Sequence, residues 1–164
     1  MNWAHIHLML NHIPLIGVGF LILLFVIALL RKSNELINVS LIFVVIVALW
    51  AIPAYLTGEP AEEIVENLPG ISENLIKSHE ESAETAFIFI EIVGALALMT
   101  LFVRRFYQTL GSRLTIIVLI GLLIGGALIA WTANLGGKIN HPEIRSNAIL
   151  QNSDSQQSHE KEDE

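Results

Sequence analysis

The 164-residue chain contains no cysteine and little charge. Without thiols there is no disulfide framework, iron–sulfur cluster, thiolate zinc site or Cys nucleophile, and no Cys-x-x-Cys-His attachment of a c-type haem. Asp, Glu, Lys and Arg make up only 15% of the residues, while 53% are hydrophobic. A soluble domain carries about 25% charged residues. The charges that exist are clustered, leaving long stretches with none, and mean hydropathy is +0.60. Basic residues are the scarcer sign, with a formal net charge of −7, which argues against nucleic acid as a partner. This is the composition of a membrane protein.

Four charge-poor runs, 13–30, 36–56, 84–103 and 114–135, have the length a helix needs to cross a bilayer, about 20 residues. Arg31-Lys32 stop the first, Arg104-Arg105 the third and Gly136-Gly137 the fourth. The first run lacks a small-residue cleavage site, so it reads as a retained span. The expected fold is all-α: a four-helix transmembrane bundle within a membrane domain of residues 1–150. Arg31, Lys32, Arg104, Arg105 and Arg113 fall in the two short loops, whereas the termini and the long loop hold only Lys77, Lys138, Arg145 and Lys161. The positive-inside rule then predicts a bacterial inner-membrane protein with short loops in the cytoplasm and both termini outside.

The long loop 57–82 has a helix of its own. Pro60 suits a helix start, where a missing N–H costs nothing, and 61–68 reads as a short acidic helix ended by Pro69-Gly70. From Ile71 the pattern is helical without a break into the third span. The tail 151–164 is rich in Gln, Ser, Asp and Glu without apolar periodicity, and is expected to be disordered. No clear internal repeat stands out, although the two hairpins resemble weak copies of each other.

His5, His7, His12, His79, His141 and His159 all fall on the outer side of this topology. His5 and His7 read as exposed polar residues of the N-terminus, and His159 as an incidental residue of the tail. At helical spacing, Ala83, Ala86, Gly94 and Ala97 form a small-residue stripe beneath His79, and Ile16 and Gly19 share the face of His12. Such stripes admit either close helix packing or a flat ring. Imidazole is a good axial ligand for haem iron, and bundle cores build such sites from facing helices. His12 and His79 are therefore the expected haem ligands, with His141 as the alternative.

Carboxylates crowd the same layer. His79, Glu80 and Glu84, with His12, offer the mixed donors of a divalent-metal site. The ferritin-like di-iron pattern fails, because no Glu stands three residues before any His. Most of the remaining acids read as a solvated face suited to a basic partner. Glu91 is different: it lies within the third span among Ile88, Phe89, Ile90, Ile92 and Val93, where an ionisable group is costly, and it is a candidate for proton transfer or for binding a quinone oxygen. Gly121 and Gly125 form a GxxxG that reports close packing, within the bundle or to a second subunit.

The opening His5-Ile6-His7-Leu8-Met9-Leu10-Asn11-His12-Ile13-Pro14-Leu15, with Thr57-Gly58-Glu59-Pro60-Ala61-Glu62-Glu63 and His79-Glu80, resembles an uncharacterised family of small bacterial membrane proteins. Their first span opens with His-x-Pro, and some are joined to cytochrome c modules. The resemblance covers about residues 4–103 and implies a respiratory or electron-transfer setting, carried mainly at His12. No haem c module is attached here. The expected function is a b-type haem electron-transfer protein or a subunit of a redox complex. Its expected partners are the lipid bilayer, other membrane subunits, a basic periplasmic cytochrome or a second copy of itself. The alternative is a non-catalytic membrane subunit or a divalent-metal-binding module. An accessory or electron-transfer role is favoured over a stand-alone enzyme, since no Ser-His-Asp or His-Glu-x-x-His arrangement is present.

Overall fold

The computed structural model describes residues 2–141, 144 and 145, and within them the chain is helical without a strand. The six helices are α1 (Trp3–Leu10), α2 (His12–Leu30), α3 (Asn34–Leu56), α4 (Gly58–Val65), α5 (Glu73–Phe106) and α6 (Gln108–Asn140). The tail 151–164, with His159, lies outside the described residues.

Local chemistry sets the boundaries. Asn2 caps α1 by accepting from the His5 backbone N–H. Asn11, the one residue between α1 and α2, keeps helical angles of φ −65° and ψ −21° and bonds its N–H to the His7 carbonyl, so α1 continues the line of the first span. Pro14 lies in the first turn of α2, where its missing N–H costs nothing. Ser33 accepts from the Leu36 N–H to start α3, following the left-handed Lys32 at φ 50°. The acidic helix begins at Gly58, earlier than 61–68, because Pro60 sits inside its first turn. The break before α5 falls at the left-handed Gly70, and α5 then runs 34 residues unbroken. That is about 50 Å at the helical rise, well beyond the roughly 30 Å of hydrocarbon in a bilayer. α6, at 33 residues, also overruns its apolar stretch 114–135 at both ends.

The four long helices close into a ring, α2 against α3 and α6, and α5 against α3 and α6, while α1 and α4 carry the α2–α3 pair on beyond one end. Phe25, Leu41, Ala97, Val118 and Leu122 are fully buried along the axis. Small residues bring the backbones together. A methyl added to Gly94 would stand 2.5 Å from Ala48 Cβ, one on Gly121 2.9 Å from Val93, and one on Gly125 2.6 Å from Ile90. The GxxxG of α6 is thus a seam within this chain, against α5. Outward faces carry large apolar side chains such as Ile16, Leu98 and Phe102. Each long helical stretch is long and apolar enough to cross a membrane.

The two ends of the ring differ. At one end Arg104, only 7% exposed, is held by neutral groups. Its Nε donates to Asn38 Oδ1 and its Nη2 to Asn34 Oδ1, both at 2.9 Å, and its Nη1 donates to Thr115 Oγ1 at 3.2 Å. Gly111 lies so close to Arg104 that an added methyl would meet the Arg104 Cα at 2.8 Å. One side chain thereby ties α3, α5 and α6 together. The other end carries the histidines.

Candidate histidine site

Two imidazoles at this end are tied in the same way. His7, on α1, places Nδ1 3.0 Å from the Ala54 carbonyl oxygen and 3.2 Å from Thr57 Oγ1. His79, on α5, places Nδ1 3.0 Å from the Thr132 carbonyl oxygen. A carbonyl oxygen can only accept, so each Nδ1 carries the proton and each neutral ring presents its lone pair at Nε2. Both rings are half-buried. Neither Nε2 has a hydrogen-bond partner among the described residues, and neither is sealed from solvent, since the only buried unpartnered side-chain atom is Glu91 Oε1. Burial holds both imidazoles below the ordinary histidine value, and His79 adds to the effect at His7.

The carbonyl each ring binds stands four residues before a glycine. A methyl on Gly136 would lie 3.0 Å from His79 Cε1, and one on Gly58 would lie 3.8 Å from His7 Cε1. In a helix, residue i+4 covers the carbonyl of residue i, and glycine at that position uncovers it. Ala54 is in the last turn of α3, where carbonyls lack intrahelical partners; Thr57 Oγ1 also donates to it, at 3.0 Å. The same device therefore occurs once per hairpin: a histidine on the first helix bonds a glycine-uncovered carbonyl on the second.

His7 was expected to be an exposed residue of the N-terminus. It is instead held because α1 prolongs α2 alongside the end of α3 and α4. Its sequence signal was faint: a histidine in α1, with the glycines four residues after Ala54 and Thr132 recognisable only once the pairing is known.

His12 is exposed, and its Nδ1 bonds the Leu8 carbonyl oxygen at 2.6 Å, within its own stretch of chain. The buried side of α2 is Pro14, Val18, Leu21, Phe25 and Ala28, and His12 lies opposite it. Ile16 and Gly19 do share the His12 face, as their spacing indicates, and that face points away from the ring of helices, with nothing within 4 Å of a methyl on Gly19. His5 and His141 are exposed; the His141 N–H closes α6 on the Gly137 carbonyl. Beneath His79, Ala86, Gly94 and Ala97 are buried and Ala83 half-buried. At Gly94 this stripe is closed by contact with Ala48, so any ring ligated by His79 must sit above it.

Among the described residues, no three His, Asp or Glu side chains converge as a metal site. His12, His79, Glu80 and Glu84 therefore do not form the mixed-donor cation set: Glu80 and Glu84 point outward on α5, and His12 faces away on α2. Glu62, on α4, is half-buried, and its carboxyl is pushed above the usual carboxylate range by burial and then by Glu80, Glu66 and Glu59.

Glu91 lies in the seam between α3 and α5. One turn before it, Phe87 stacks on Tyr55 with ring centroids 4.3 Å apart and planes at 3°. One turn after it, Gly94 meets Ala48. These helices run antiparallel, so Glu91 falls opposite Ala51, a residue too small to reach it. Its Oε1 is buried and has no hydrogen-bond partner among the described residues.

The arrangement can present two neutral imidazole lone pairs, each oriented by a backbone carbonyl, at one end of an apolar bundle. This is how outer-shell hydrogen bonds orient histidines that bind metals. No protein-family model matches the chain, and no match was found among curated proteins or solved structures, so the resemblance drawn from residues 4–103 rests on its motifs alone.

Proposed function

We propose that the chain is a multi-pass inner-membrane electron-transfer protein, or the haem-carrying subunit of a redox complex, with a b-type haem ligated at its histidine end by His7 and His79. The observation that carries this reading is the repeated tie: in each hairpin a histidine Nδ1 lies 3.0 Å from a carbonyl uncovered by glycine, leaving Nε2 as the ligand atom. Two such nitrogens are what a six-coordinate haem iron takes from a protein. Haem is favoured over a hydrated divalent cation because no third protein donor joins the pair among the described residues.

In this reading the acidic surface of Glu59, Glu62, Glu63 and Glu66 steers a basic soluble carrier such as a cationic cytochrome to the site. Glu91 is the membrane-depth carboxyl that takes or releases the accompanying proton. The test is an optical spectrum of protein purified from haem-replete cells, oxidised and then dithionite-reduced. A Soret band with sharp reduced α and β bands is expected, and a colourless protein refutes the proposal.

A second reading is a non-catalytic membrane subunit in which both imidazoles serve only as ties between helices. It is favoured by the fact that each Nδ1 bond already joins two helices. The same spectrum separates the two.

A further inference from the structure

At the histidine end, the surface between α5 and α6 carries a shallow, open groove of about 470 Å³. Ser78, Glu81, Ser82 and Thr85 form the α5 wall, and Leu128, Trp131 and Leu135 the α6 wall. The hydrogen bonds beneath it decide what the groove offers. Ser78 donates its hydroxyl proton to the Asn74 carbonyl at 2.8 Å, and Thr85 donates to the Glu81 carbonyl at 3.0 Å. Thr132 donates to the Leu128 carbonyl at 3.0 Å, so Ser82 must be the donor in its 2.7 Å contact with Thr132 Oγ1. Each hydroxyl has one proton, and all four are thus committed to the protein. What faces outward is lone pairs, joined by the Glu81 carboxylate, which forms no ion pair among the described residues. Trp131 is 59% exposed and adds an aromatic face.

A groove of acceptors with one negative charge and an indole selects a cation that has several N–H bonds. Leu128 and Leu135, at the end of the apolar stretch 114–135, favour a ligand with acyl chains over a free amine. Lys77 lies one helical turn before Glu81, exposed and without an ion pair among the described residues. It suits a phosphate, as does the Trp131 indole N–H, the one side-chain donor of the groove.

We propose that this groove binds the headgroup of a zwitterionic phospholipid with a primary ammonium, of the ethanolamine type, in the leaflet that meets the histidine end. The ammonium bonds Glu81 and the serine and threonine oxygens against Trp131, and the phosphate faces Lys77. A choline headgroup has no N–H to give, and a glycerol headgroup has no cation for Glu81. The site rests on the membrane placement of the long helices and is independent of any haem.

The test is native mass spectrometry of delipidated full-length protein in detergent, with dioleoyl phosphatidylethanolamine, phosphatidylcholine and phosphatidylglycerol in competition. The ethanolamine lipid is expected to be retained about tenfold more tightly than either of the others, the difference one charge-assisted hydrogen bond supplies. Glu81→Gln should abolish that preference, and Glu73→Gln, on the exposed start of the same helix, should keep it. Equal retention of the three lipids, or a preference that survives Glu81→Gln, overturns the proposal. Binding of soluble glycerophosphoethanolamine as tight as that of the lipid overturns the assignment to a membrane lipid.

Discussion

His79 packs on Gly136 with so little clearance that a methyl there would stand 3.0 Å from its Cε1 and 3.3 Å from its Nδ1. Gly136→Ala should therefore push the ring off the Thr132 carbonyl, whereas Gly58→Ala, with 3.8 Å to His7, should be accommodated. The expected outcome is loss of most haem absorbance in Gly136→Ala and little change in Gly58→Ala, both measured against protein inserted in the membrane. Equal spectra in the two variants would mean that the glycine contact does not position His79.

His7→Ala and His79→Ala should each remove the low-spin spectrum, while His5→Ala and His12→Ala should retain it. A ligating imidazole must be neutral, and burial holds both His7 and His79 below the ordinary histidine value, so binding should persist at neutral pH and weaken only as pH falls below about 6.5. A spectrum lost only in the His12 variant would move the site to the outward face of α2.

Arg104 should be the dominant polar determinant of stability. Arg104→Ala leaves Asn38 and Thr115 without their donor and Asn34 with Gln108 alone, and loss of several charge-assisted hydrogen bonds in a buried setting is expected to cost about 3 kcal/mol or more. Gly111→Ala should also destabilise, because the obstacle is the Arg104 backbone rather than a movable side-chain tip. Thermal unfolding in detergent reads both, and unchanged midpoints would contradict the clamp.

Glu91 contributes no hydrogen bond through Oε1 among the described residues, so Glu91→Gln should leave the thermal midpoint close to that of the parent protein. The same variant should flatten the pH dependence of the haem midpoint potential. A large loss of stability would instead make Glu91 a structural tie to another helix.

Orientation is checked with single cysteines in this cysteine-free chain. Positions 31 and 107 should be protected from impermeant thiol reagents in intact cells, and position 69 should react. The reverse pattern would place the histidine end in the cytoplasm and remove a periplasmic carrier from consideration.

The sequence carried the all-helical class, the four long apolar helices and the unbroken run of α5 in plain form, because these follow from hydrophobic run length and from helix-compatible residues lacking internal breakers. It also singled out His79 and the small stripe under it, since helical phase is a local property. Which way a face points is not local. The shared face of His12 and Gly19 is the same whether it looks into the bundle or out of it, and only the packing of Val18, Leu21 and Phe25 against α3 and α6 turned it outward. His7 depended on tertiary structure even more strongly. Its partner carbonyl is 47 residues away in α3, and nothing in the composition of α1 encodes which of its residues meet the end of α3 and α4. The clamp at Arg104 followed the same logic: two arginines end the third span, and the proximity of Asn34, Asn38 and Thr115 from two other helices decided which of them is buried. Local interactions fix where helices start and stop, but the pairing of side chains across helices exists only once the hydrophobic seams have set their register.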